Sequence, residues 1–234
     1  MNFYLIKKNN KKNKKNKGGN LMTTIIPKQI KCPVCGKENT VNLIGSTNAR
    51  GYADLDLRPP EMQRSTMYES TSMCECGNVF ESESKGGSRE LVESESYQNC
   101  DGIDFGSKKA VMFYRAYLID KQSHPNDLTS NFFHILRAAW ACDDYDVENA
   151  RKMRLIGIDL LEQIIKDDRY ENRKNDHLLM QADLLRRSAK FDLVIEKFQN
   201  MKFEDELYQQ IIDFQIEKAS QKDDSRYTVG DVIG

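Results

Sequence analysis

From Lys108 onward apolar residues return every three or four positions, the spacing that places them along one side of an α-helix. Stretches 108–121, 127–142, 147–167, 174–188, 191–200 and 203–220 all carry it and predict six helices. Phe132, Phe133, Leu136, Ala139 and Trp140 mark one such face, and Leu155, Ile158, Leu161, Ile164 and Ile165 another. Connections of two to six residues predict antiparallel neighbours. Asp127, Asp146 and Asn200 stand where helix N-caps belong. Residues 222–234 read as a tail with room for one short element.

Before Lys108 the pattern is different. Residues 25–80 hold short β-type runs broken by turn residues, with Thr40–Ile44 a strand candidate and 66–73 an extended run leading to Cys74. Asp54-Leu55-Asp56-Leu57 alternates strictly, which predicts two carboxylates on a solvated strand face and two leucines facing inward. That run stops at Pro59-Pro60, since proline cannot sit inside a paired strand. Residues 81–107 are rich in serine, glycine and acid and read as an acidic linker or loop. Residues 1–21 are dominated by lysine and asparagine and are predicted to be disordered.

Charge divides the chain in the same way. The formal net charge is -1 and residues 1–21 carry seven lysines and no acid, so the remainder carries -8. An acidic body is a poor match for a phosphate backbone, which attracts basic surfaces. The lysine arm can be read as a nucleic-acid or lipid contact. It can also be read as upstream sequence: Lys17-Gly18-Gly19 is encodable by a purine run like a ribosome-binding site, which makes Met22 the expected start. No run approaches the roughly 18 apolar residues of a membrane span, and no apolar signal-peptide core is seen. The expected compartment is the cytoplasm, where paired cysteines favour a metal over disulfides.

Cys32-Pro33-Val34-Cys35-Gly36 has the spacing of a metal knuckle, two thiolates on one tight turn that glycine completes. Cys74-Glu75-Cys76-Gly77 keeps the glycine but has one residue fewer between its cysteines, and Met73 stands where a regular knuckle would place a ligand. Together Cys32, Cys35, Cys74 and Cys76 predict one structural Zn2+ per chain, because four thiolates leave no position open to water. The 38 residues between Cys35 and Cys74 exceed the roughly 15–20 of a compact two-knuckle site. Cys100 is an alternative ligand for the second pair, as is water, whereas Cys142 lies beside Trp140 on an apolar helix face and reads as core. The fold class expected is α+β: a small β-rich zinc ribbon over 25–80, the linker, then an all-α TPR-like array over 108–221.

The run from Cys32-Pro-Val-Cys-Gly through Asp54-Leu-Asp-Leu-Arg-Pro-Pro-Glu-Met-Gln-Arg-Ser-Thr-Met67 to Cys76-Gly77 resembles a group of uncharacterised bacterial zinc-ribbon proteins. More loosely it is similar to the CpXC domain and to ribbon-plus-TPR-like domains of unknown function. The resemblance covers residues 30–80 and implies a zinc ribbon, with no activity attached; the shortened second knuckle departs from it. In the helical part Leu178, Ala182, Leu185, Phe191, Val194, Phe198 and Met201 follow the spacing of one TPR-like helix pair, with Val194 in place of the usual small residue, and the same spacing also suits a generic helical bundle.

Other chemistry is sparse. Asp54 and Asp56 can be read as paired ligands for a divalent cation or as solvated acids; Arg58 and Arg64 as an anion clamp or as partners of Asp56 and Glu61. His124, His134 and His177 show no acidic or cysteine partner that would make them a base or ligand. No nucleotide loop, dinucleotide fingerprint, zinc-protease helix or nucleophile elbow occurs, and no catalytic residue is assigned. The function expected is a protein-interaction adaptor with structural zinc. Its alternatives are a nucleic-acid-binding ribbon, disfavoured by charge, and an enzyme or metal sensor using an incomplete site.

Overall fold

The computed structural model describes residues 23–47, 50–81 and 86–234. The lysine-rich arm and the Met22 start lie outside the described residues. The architecture is α+β, with two small antiparallel hairpins toward the N-terminus and a helical C-terminal region. Strand β1 (Thr24–Lys31) pairs with β2 (Glu38–Ser46), Lys31 opposite Glu38 and Lys28 opposite Val41. Strand β3 (Thr71–Met73) pairs with β4 (Val79–Glu81), Met73 opposite Val79. Each pair of knuckle cysteines therefore sits in the turn of a hairpin. Among the described residues no helix is long and apolar enough to cross a membrane.

The described chain forms two compact units, 23–47 with 65–153, and 50–64 with 154–234. The first holds both hairpins, α2 (Arg89–Glu93), α3 (Glu95–Gln98), α4 (Lys108–Ser123) and α5 (Leu128–Cys142). Helices α4 and α5 pack through Phe113, Ile119, Phe132, Ile135 and Leu136, all buried. Here the expected acidic linker is corrected, because the described residues 86–107 are built into this unit. Val92, Tyr97, Cys100 and Phe105 are buried. Ser88 and Ser94 accept hydrogen bonds from the backbone amides of Leu91 and Tyr97 as helix N-caps. Composition averaged over the stretch hides four anchors, and it counts capping serines as linker.

The second unit contains the short α1 (Glu61–Arg64), α7 (Lys174–Arg187), α8 (Phe191–Phe198), α9 (Glu206–Ser220) and α10 (Val229–Ile233). The boundary between the units falls within α6 (Val147–Lys166). Leu179, Met180, Val194, Phe198, Ile211 and Ile212 close the core where α7, α8 and α9 meet. Residues 222–234 are an integral edge of this unit, beyond the tail expected of them. The Leu55 amide donates to Tyr227 O (3.0 Å), the Val229 amide to Ala53 O (2.9 Å), and Thr228 and Asp231 cap α10 reciprocally.

Asp54–Leu57 is likewise corrected: it is a tight turn, not a strand. The Leu57 amide donates to Asp54 O at 2.9 Å, and Leu57 takes a left-handed φ of 67°. Asp54, Leu55, Asp56 and Leu57 are all buried. Asp54 is paired through Oδ1 with Arg64 (2.6 Å) and Asp56 with Arg187 (3.0 Å), so arginines stand where alternation assigned solvent. Arg64 meets Glu61 only at 3.8 Å, and the Arg58 amide donates to Asp56 Oδ1 at 3.1 Å.

Arg186, fully buried, organises the tail. Its Nε donates to Gln215 (2.5 Å), Nη1 to Asp223 O and Ser225 O (2.8 Å each) and Nη2 to Asp183 (2.9 Å), while its guanidinium lies 5.2 Å from the Tyr227 ring. Arg186→Met is expected to cost about 3–5 kcal/mol, because it strands the buried Asp183 carboxylate and two carbonyls. Urea unfolding checks this, with the midpoint lowered at unchanged slope.

Candidate metal centre

The sulfurs of Cys32, Cys35, Cys74 and Cys76 all lie within 4.8 Å of one another. Cys32 Sγ is 3.8 Å from Cys76 Sγ, and Cys35 Sγ is 3.4 Å from Cys74 Sγ. A tetrahedron with metal–sulfur bonds of about 2.3 Å has edges of about 3.8 Å, so this cluster can hold a metal ion. The local fold explains how an irregular second knuckle still delivers its sulfurs. In the first turn the Cys32 amide donates to Lys37 O and the Gly36 amide returns to Cys32 O, at 2.8 and 2.9 Å. In the second the Cys74 amide donates to Asn78 O and the Gly77 amide returns to Cys74 O, both at 2.8 Å. The bonding scheme is the same with one residue fewer. Gly36 and Gly77, at φ of 76° and 90°, supply the left-handed turn in each.

Around the sulfurs stand groups that suit thiolate. Asn39 Nδ2 donates to Cys74 Sγ (3.5 Å) and Asn78 Nδ2 to Cys32 Sγ (3.6 Å), and Lys37 pairs with Glu75 across the two turns. Burial raises the Cys32 thiol, but the Cys35 and Val34 amides and the neighbouring thiols outweigh it and bring it down to about 7. Burial pushes Cys76 up to about 12. Four sulfurs this close cannot all carry charge unless a cation shares them.

The short helices of 89–98 are fastened directly onto the knuckles. Arg89 donates to Val34 O, Tyr97 Oη to Gly77 O (2.8 Å), and Gln98 Nε2 to Cys76 O (3.1 Å). From α4, Arg115 Nη2 reaches Gln98 O at 2.7 Å. Asn78 also accepts from the Gly87 amide (2.8 Å), so closely that a Cβ on Gly86 would overlap its side chain.

The remaining sequence candidates fall elsewhere. Cys100 is buried outside the four-sulfur group, its thiol raised by burial against the pull of Arg115. Met73, in β3, receives Arg115 Nη1 on its sulfur at 3.6 Å. Cys142 is core. His134 has the acidic partner not credited to it: its Nε2 donates to Asp120 Oδ2 at 3.0 Å, and Ser130 Oγ donates to the same oxygen at 2.7 Å. His124 lies 3.6 Å from Asp120, one helical turn away. His177 is buried against the edge of Tyr170, and burial lowers it. Asn39, Asn78, Arg187 and Arg226 escaped the sequence reading, having no motif around them. Comparison with family models, with curated proteins and with solved structures gives no match.

Two outcomes follow. Where the cluster is loaded with a metal ion, chelation should speed amide exchange about tenfold or more over 89–98, which is bonded to the knuckles, and less over 108–123, which reaches them through Gln98; hydrogen-exchange mass spectrometry reads this. Asp120 is held at about 2, chiefly by the bond from His134, below its ordinary 3.8. A depressed carboxylate stabilises the fold above its unfolded value and loses that contribution as pH falls through the folded one. Asp120→Asn should therefore cost about 1–2 kcal/mol at pH 7 and progressively less from pH 4 toward 2, as measured by denaturant unfolding at each pH.

Proposed function

We propose that the chain holds one structural zinc ion in a reducing compartment such as the cytoplasm and acts as a protein-interaction adaptor. The observation that carries the metal reading is the four-sulfur cluster, with amide N–H groups directed at two of its sulfurs. An all-thiolate tetrahedron favours zinc or iron over hard cations, and four ligands would leave no open position for a substrate or water. For the adaptor role, the support is a two-stranded ribbon exposed along nearly all of β1, with Ile25 and Ile26 at 44% and 51% exposure. The TPR-like spacing in α7 and α8 offers a second surface, since such arrays present grooves to partner segments.

Elemental analysis of the purified protein should return one zinc per chain. Cys32→Ser or Cys74→Ser should remove it and unfold the hairpins, because structural zinc contributes on the order of 10–16 kcal/mol of apparent binding free energy. Metal-free protein with unchanged melting would discard the zinc reading, and stoichiometric iron would replace it. A photo-crosslinker at position 26 in the host should capture protein; capture of nucleic acid instead would favour the ribbon as a nucleic-acid module.

A further inference from the structure

Beside the buried Asp54 turn, within the second unit, a cleft of about 460 Å³ opens between residues 50–64 and the segment around Thr228. That volume lies in the range of small-molecule sites, about 300–1,000 Å³. Arg50, Arg64 and Arg226 line it against the carboxylates of Asp54 and Glu61, so positive charge prevails. Asp54 is 1% exposed. Its Oδ1 receives Arg64 Nη2, but its Oδ2 accepts no hydrogen bond among the described residues and lies 3.9 Å from Arg226 Nε. A buried carboxylate oxygen without a donor is costly, and a ligand donor entering the cleft would relieve it.

The cationic wall is partly preset. Arg64 is fixed through Nε on Pro59 O (2.9 Å) and keeps 15% of its side chain exposed, whereas the Arg226 side chain is 37% exposed. Tyr52, 39% exposed, gives the cleft a flat aromatic side. Its ring rests on Gly230, where a Cβ would come within 2.5 Å of it, so the ring's seat depends on that glycine.

We propose that this cleft binds a small aromatic anion. Its phosphate or carboxylate would lie on Arg226 and Arg64, its ring on Tyr52, and an N–H or O–H of the ligand would donate to Asp54 Oδ2. A nucleoside monophosphate carries all three features. A divalent cation fits less well, because Asp54 is already engaged by guanidinium groups that would repel it.

Glu61 makes the sign of the ligand testable. Its side chain is 84% exposed, 3.8 Å from Arg64, and carries the charge an anion would have to approach. Calorimetric titration of the intact chain with adenosine 5′-monophosphate should show binding, tighter than that of adenosine or inorganic phosphate alone. 4-Aminobenzoate in parallel separates a phosphate from a carboxylate preference; tighter binding of either anion supports the site. Arg226→Gln should weaken binding about tenfold or more, Tyr52→Leu should also weaken it, and Glu61→Gln should strengthen it about two- to fivefold. Thermal melting of each variant verifies that the unit remains folded. The proposal is overturned if neither aromatic anion binds at millimolar concentration, if adenosine or phosphate alone binds as tightly, if folded Arg226→Gln binds unchanged, or if Glu61→Gln weakens binding.

Discussion

The crowding of four cysteine sulfurs into one small volume is the constraint on which the first unit depends. Two-stranded hairpins bury too little surface to be stable alone. Here β1 is exposed over almost its whole length, and β3 and β4 have only three residues each. A cation shared by the thiolates would tie the two turns together and remove the repulsion among them. The fastenings of Arg89, Tyr97 and Gln98 carry that tie outward, because each grips a backbone carbonyl of a knuckle. Their geometry holds only while the knuckles keep their shape.

This part of the structure was legible in the sequence where chemistry is local. The Cys-Gly knuckles announce their own turns, and three- and four-residue periodicity located the six long helical segments to within a few residues. The shortened second knuckle was legible as an irregularity but not as a solution: that one residue can be dropped while the glycine amide still returns to the first cysteine is a property of backbone closure. Residues 86–107 were misread for a related reason. Sparse anchors such as Val92 and Tyr97 form no periodic stripe, and Tyr97 meets Gly77 and Arg115, which lie outside the segment.

In the second unit the sequence reading failed at buried charge. Strict alternation in Asp54–Leu57 is the mark of a half-exposed strand only if acids seek water. Asp56 finds Arg187 from 131 residues away, and Asp54 finds Arg64 and Arg226. No local pattern encodes such partners, and the same blindness made residues 222–234 look like a tail. Arg186 and its acceptors at Gln215, Asp223 and Ser225 show why they are not: a fully buried guanidinium must be surrounded by acceptors, and the tail backbone supplies two of them.

Buried ion pairs of this kind add little net stability, since desolvation offsets most of the attraction, but they penalise misplacement heavily once one partner is fixed. That asymmetry suits what the second unit builds. Helices α7 to α9 have an apolar core to stabilise them, so the charged groups are left to set position. They hold the 53–58 turn in register with 227–229, and burial with the neighbouring Asp56 pushes Asp54 up to about 7 against the pull of Arg64, Arg226 and Arg187. A carboxyl kept in such surroundings raises the free energy of the folded state as pH climbs past its ordinary value. An apolar turn would avoid that cost. It could not, however, present an acceptor at the base of an arginine-lined cleft, and the same pairings that lock the turn also set the cleft's walls.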